Sequence, residues 1–150
     1  MQLVVFALNK EEYGVDISAV NGILRAKKFT IKSIPGSSKE VDGMINLRGK
    51  INYVLNLRAK FGFEYTDRDE ESKFIMLNIN EGNTGWIVDE VTDIVKIDDT
   101  HFQSVPQAIY GINTNYIQGI GQIDDRVIII LNPDSMLTAE DYSVINTHEA

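Results

Sequence analysis

Val41-Asp42-Gly43-Met44-Ile45-Asn46-Leu47 and Ile117-Gln118-Gly119-Ile120-Gly121-Gln122-Ile123 decide the fold, because they read as one stretch written twice. They start 117 − 41 = 76 residues apart, and each has glycine third and apolar residues first, fourth and last. The match continues past the turn that follows: Ile51 falls on Val127, Val54 on Ile130, Leu55 on Leu131 and Asn56 on Asn132. Upstream the offset becomes 75 − 4 = 71. Val4, Phe6 and Leu8 fall on Ile75, Leu77 and Ile79, Gly14 on Gly85, and Val20 and Ile23 on Val91 and Ile94. The difference, 76 − 71 = 5 residues, sits in the loop between the two blocks. Self-similarity at a fixed spacing marks a duplicated unit. Chance alignment of strand–turn–strand patterns is the alternative, and many β proteins would give one. Two glycines and a series of apolar positions kept in order favour duplication.

Strand signals dominate both copies. Leu3 to Leu8 is apolar and β-prone, and Asn9-Lys10-Glu11-Glu12 supplies a polar turn before Tyr13 to Ile17. Ile45-Asn46-Leu47 alternates, Gly49-Lys50 turns, and Ile51 to Leu57 returns. Phe74 to Ile79 and Gly85 to Val88 pair across Asn80-Glu81-Gly82-Asn83, and Ile117 to Ile123 pairs with Val127 to Leu131 across Asp124-Asp125. Two places read helical: one turn at Leu57 to Phe61, and a short C-terminal amphipathic helix from Asp134 to about Ile145, with Pro133 suited to its start. Thr66 to Ser72 contains Asp67, Asp69, Glu70 and Glu71 and no aliphatic residue, as a solvated linker would. The expected fold is all-β, with two packed five-stranded barrels related by internal duplication. The chain reads as one domain, 1–150, whose halves 1–66 and 73–150 are joined by the acidic linker 67–72 and share strands. Each half is small for independent stability, so a shared interface is expected. Closed barrels also remove sheet edges that invite aggregation.

Composition narrows the function. The net charge of −8, from 14 Lys+Arg against 22 Asp+Glu, gives no electrostatic attraction for nucleic acid. The longest apolar run, Val127 to Leu131, is far short of a membrane span, so no membrane insertion is expected. Met1-Gln2-Leu3-Val4-Val5-Phe6 lacks a basic region and a cleavage site, so no signal peptide is expected and the cytoplasm is the expected compartment. There are no cysteines, hence neither disulfides nor thiolate–metal sites.

Catalytic material is sparse. Of the two histidines, His101 follows Asp98-Asp99-Thr100 and reads as part of a polar turn, and His148 is the third residue from the end. Neither has a second histidine or carboxylate at metal-ligand spacing. The linker acids lack the alternating ligands and central glycine of a calcium loop. Gly119-Ile120-Gly121 lacks the third glycine and following helix of a dinucleotide site, and no serine has a Gly-x-Ser-x-Gly setting. No enzyme, cofactor or metal is expected. What remains is a surface. In Met44-Ile45-Asn46-Leu47-Arg48-Gly49, strand alternation puts Asn46 and Arg48 outward if Ile45 and Leu47 face the core. An outward arginine offers five donors in a rigid fork to a partner's carboxylate or carbonyls. A pairing with a neighbouring acid on its own surface fits the spacing equally well.

The order of several segments resembles the CheW family. These are Glu12-Tyr13-Gly14-Val15-Asp16-Ile17, Gly43 to Gly49, Asn56-Leu57-Arg58-Ala59-Lys60-Phe61-Gly62, Gly85 to Ile94, Ile117 to Ile120, and Asp125 to Leu131. The resemblance spans about residues 2 to 138. It implies two SH3-like barrels and a non-enzymatic adaptor that docks on the regulatory domain of the histidine kinase CheA and on the cytoplasmic tip of methyl-accepting chemoreceptors, recruited to arrays beneath the membrane. The resemblance implies partner contact at Arg48 and Asn46. It further implies a receptor groove between the barrels lined by Val20, Ile23 and Ile94, with Gly43 and Arg48 nearby. Ile23 and Ile94 match in the repeat and would serve equally as core residues. The chain departs from the family pattern at Gly22, where glutamate is common, at Tyr53, where proline is common, and at Asn56, where aspartate is common. Residues His101 to Ala108 also diverge. A CheW-like adaptor of another two-component pathway, such as twitching motility, is the second reading. A small β-barrel enzyme or nucleic-acid binder is the third.

Overall fold

Leu3-Val4-Val5-Phe6 and Phe74-Ile75-Met76-Leu77 are unbroken apolar runs, and a strand carries such a run when both of its faces are buried. The structure, a computed structural model, describes residues 1–79, 82–105 and 116–136. Its strands are β1 Gln2–Leu8, β2 Glu11–Asp16, β3 Val20–Arg25, β4 Val41–Leu47, β5 Lys50–Asn56, β6 Lys73–Ile79, β7 Gly82–Val88, β8 Glu90–Lys96, β9 Phe102–Gln103, β10 Ile117–Ile123 and β11 Arg126–Leu131, and one short helix, α1, spans Leu57–Lys60. One sheet has the order β3-β6-β7-β5-β4 and the other β8-β1-β2-β11-β10-β9.

Neither sheet follows one copy of the repeat. β1 and β2 sit among strands from beyond the linker, and β6 and β7 sit among strands from before it. The first two strands of each copy are exchanged. Register confirms the equivalence: parallel pairing sets Tyr53 against Thr84 in one sheet and Ile129 against Tyr13 in the other. These are the same positions, since 53 + 76 = 129 and 84 − 71 = 13. The sixth strand of the larger sheet, β9, is two residues long and pairs Gln103 with Ile120. Its counterpart in the other sheet is a single bridge, Lys32 with Met44 (32 + 71 = 103; 44 + 76 = 120). β3 and β8, which the periodicity did not mark as strands, are the equivalent edge strands.

The unbroken runs are explained by three cores. Leu3 and Val5 of β1 pack with Ile97, Ile128 and Ile130 inside the six-stranded unit. Ile45, Val54, Phe74 and Met76 fill the five-stranded one. The opposite faces of the same strands meet in the largest core, where Val4, Phe6, Leu8 and Val15 pack against Leu55, Ile75, Leu77, Trp86 and Val88. Trp86 is fully buried and stands edge-on to Phe6, with ring centroids 6.2 Å apart. Each such side chain contributes about 1.5–3 kcal/mol on burial, so strand exchange joins the halves by the same force that fills each of them. Met44, on the outward side of β4 by alternation, packs on this shared core.

Local signals hold up where they are local. Asn56 caps α1 by accepting from Ala59 N at 3.1 Å. Its repeat equivalent, Asn132, caps a 3-10 turn at Pro133–Ser135 by accepting from Asp134 N at 3.2 Å. Most of the expected C-terminal helix lies outside the described residues, and the part that is described, at Pro133–Ser135, is this 3-10 turn. In the linker, Asp69 Oδ1 accepts from Glu71 N and Ser72 N, and Arg68 donates to the carbonyls of Ala26 and Phe29. The segment is therefore tied down as well as solvated.

Gly43 has φ +148°, and a Cβ there would lie 2.1 Å from the Lys32 carbonyl oxygen. Gly22, by contrast, has nothing within 4 Å of the same atom. Gly43→Ala should cost about 3 kcal/mol or more, combining backbone strain and overpacking. Gly22→Ala should change stability little. Urea unfolding of the two variants checks both values.

Candidate functional site

Leu47 pairs with Lys50, leaving Arg48 and Gly49 as a two-residue hairpin turn with φ +54° and +82°. Both central residues with positive φ fit the tight turn that matches strand twist. Asn46 Oδ1 accepts from Gly49 N at 2.9 Å and fastens it. Arg48 is thrown out to solvent at its apex, and Asn46 is exposed beside it.

Arg48 and Ile23 line one depression of about 220 Å³, together with Asn21, Gly22, Leu24, Leu47, Asn52, Met76 and Asn83. Asn21 Nδ2 donates to Asn83 Oδ1 at 3.2 Å across its rim. Every lining residue belongs to the five-stranded unit, so this depression is the end of one barrel and not a cleft between the two. Val20 packs half-buried on the shared core. Gly43 is buried under Lys32, and Ile94 stands on β8 of the other sheet. Of the six sequence-derived positions, the depression brings together Arg48 and Ile23.

Among the described residues, four of the six exposed large apolar side chains form two repeat-related pairs, Met1 and Tyr65 being the others. Ile23 is 40% exposed and its equivalent Ile94 55%, and Ile51 is 51% exposed and its equivalent Val127 57%. Each barrel thus offers water an apolar side chain on its edge strand and another beside its hairpin turn.

Several polar groups were invisible to spacing. Arg58 grips Asp89 through Nε (3.0 Å) and Nη2 (2.6 Å) and donates to the Glu64 carbonyl through Nη1. Asp89 Oδ2 also accepts from Asn9 N at 2.9 Å, tying the β1–β2 turn to α1. Beside this pair, burial pushes the Asp42 carboxyl above its usual range, against a hydrogen bond from Asn56. Arg126, first in β11, reaches Glu12 at 2.7 Å and Asp93 at 2.9 Å. Tyr13, Phe61 and Tyr116 stack in series at the seam between the units, with Lys60 over the Tyr116 ring.

His101 belongs to an exposed turn, Asp99–His101, whose capping Asp98 is held down to about 2 by hydrogen bonds from Thr100 and His101. His148 lies outside the described residues. Among the described residues, no group of three or more His, Cys, Asp or Glu is placed to hold a metal ion, and no helix is long and apolar enough to cross a membrane.

Two fused barrels with paired apolar points on their surfaces make a protein-interaction module. The family model for the CheW-like domain matches residues 2–141, and the chain belongs to that family. It is 28% identical over 145 residues to the chemotaxis protein CheW of Klebsiella aerogenes, covering 97% of this chain and 86% of that one. It is 27% identical to CheW of Bacillus subtilis, covering 93% and 88%. The crystal structure of the scaffolding protein TtCheW from Thermoanaerobacter tengcongensis superposes with a TM-score of 0.83 at 32% identity, covering 93% of this chain and 89% of that one.

Hydrogen bonds from Arg126 hold the Asp93 carboxyl below its usual 3.8. A lowered carboxylate pKa stabilises the fold above the unfolded value and ceases to do so as pH falls through the folded one. Arg126→Ala should cost about 1–2 kcal/mol at neutral pH, the range for charge-assisted bonds reduced for partial exposure. The gap from wild type should shrink as pH is lowered through 3.8. Denaturant titrations across that range measure it.

Proposed function

We propose that the protein is a non-enzymatic adaptor coupling methyl-accepting chemoreceptors to the histidine kinase CheA in bacterial chemotaxis. The observation that carries this reading is the pairing of exposed apolar residues, Ile23 with Ile94 and Ile51 with Val127, on two barrels sharing one rigid core. A body with two similar but separate faces can hold two partners at once, and this raises their effective concentration without chemistry. Relatives named as chemotaxis proteins and a neighbour named as a scaffold support the same role. The protein works in the cytoplasm, is recruited to receptor arrays beneath the membrane, and functions as one unit because its halves exchange strands.

Receptor contact is assigned to the five-stranded barrel end, with Arg48 and Ile23 as the contacting side chains, Asn46 holding the turn, and Val20, Gly43 and the distant Ile94 as supporting positions. Helical partners bind such surfaces by apolar anchors beside a polar rim. Arg48→Ala should weaken partner binding by about 1.5–3 kcal/mol while leaving the fold intact, the range for a charge-assisted contact. Circular dichroism with calorimetric titration checks this, and an unfolded variant or unchanged binding to both partners would count against it.

The role itself is tested by ATP turnover of the kinase, measured with receptor fragments, with this protein, and with both. Turnover should rise only when both are present, and the protein alone should neither hydrolyse nor transfer phosphate. Equal turnover with and without it would refute coupling.

A further inference from the structure

The two barrels share one plan but end differently. In the six-stranded unit, the end beside the β10–β11 turn is closed by Arg126, whose guanidinium lies between Glu12 of β2 and Asp93 of β8. The repeat carries these three positions to Lys50 (126 − 76), Asn83 (12 + 71) and Gly22 (93 − 71). The corresponding end of the five-stranded unit therefore keeps a cation and has lost both carboxylates. At Gly22 there is no side chain, and nothing lies within 4 Å of where a Cβ would stand. The depression of about 220 Å³ is at this place, with Leu24, Leu47 and Met76 among its walls and Arg48 in its lining. Among the described residues no carboxylate pairs with Arg48 or Lys50, in a chain whose net charge is −8.

We propose that this open end takes one carboxylate side chain from the helical tip of the chemoreceptor, which enters over Gly22 and bonds Arg48 and Lys50 as Asp93 and Glu12 bond Arg126. The inference rests on the coupling reading above and names the chemistry by which one partner is recognised. Charge selects the group: Arg48 in the lining and Lys50 at the repeat equivalent of Arg126, neither paired with a carboxylate among the described residues, favour an acidic side chain over a basic one. Size selects a side chain, since small-molecule sites usually occupy about 300–1,000 Å³. Ile23, 40% exposed in the lining, supplies the apolar neighbour that an amphipathic helix needs one turn from its acid. Gly22 is thus a specificity-determining residue that acts by leaving room.

The test rebuilds the plug within the chain. An acid variant, Gly22→Asp with Asn83→Glu, is compared with an amide variant of equal size, Gly22→Asn with Asn83→Gln. In low salt the acid variant should melt higher than the amide variant, and high salt should close the gap. Against a receptor signalling fragment the acid variant should bind about tenfold or more weaker than the amide variant, with binding to the kinase regulatory domain alike in both. Equal receptor binding by the two variants, a loss confined to the kinase domain, or equal melting in low salt would overturn the proposal. Wild-type protein that binds neither fragment would remove the coupling reading and the receptor assignment with it, whereas normal wild-type binding with equal variants would remove this inference alone.

Discussion

The packing of Phe6, Leu8 and Val15 against Leu77, Trp86 and Val88 is the contact on which the rest of the molecule depends. Each barrel has its own small core, five buried residues in either case among those described. Units of that size are marginal alone. The shared layer is the largest of the three, and it is built by the reverse faces of strands whose other faces fill the barrels. Strand exchange makes the layer obligatory: β1 and β2 complete one sheet while the chain that follows them builds the other. Relative motion of the barrels would expose apolar area, so the two surface faces keep a fixed separation.

Duplication also sets what can differ. Backbone features are kept in both copies: parallel registers match, and the residues capping the turns after β5 and β11 are both asparagine. Gly43 and Gly119 both sit where a Cβ would strike the neighbouring segment, Lys32 in one copy and Phe102 in the other. Side chains at the barrel ends are free of these constraints and have diverged. Arg48 has Asp124 as its counterpart in the hairpin turn, both with φ near +54° and +53°, so one fold presents opposite charges at its two related turns.

Much of the fold was legible in the sequence because its signals are local or periodic. The repeat, the hairpin turns, the short helix after Asn56 and the acidic linker follow from residue types within a few positions of one another. The outward placement of Asn46 follows from strand alternation, whereas Arg48 is outward because it sits in the hairpin turn that Asn46 fastens through Gly49 N. The edge strands β3 and β8 escaped notice because an edge strand beside solvent carries mixed residues such as Asn21-Gly22 and Thr92-Asp93, in which periodicity is weak.

Sequence by itself determined that two related β units exist, roughly where their turns lie and which residues repeat. The turn after β4 falls at Arg48-Gly49, one residue before the Gly49-Lys50 that spacing suggested, because Lys50 already pairs with Leu47. Only the tertiary structure decided which strands partner which, because exchanging β1–β2 with β6–β7 leaves every local pattern unchanged. It also decided that Ile23 and Ile94 are exposed while their repeat companions Val20 and Val91 pack on the shared core, a matter of which face of an edge strand meets a neighbour. Arg126 meets Glu12 across 114 residues and Asp93 across 33. Such pairs are made by sheet order, and sheet order is set where apolar faces from distant segments find each other in the shared core.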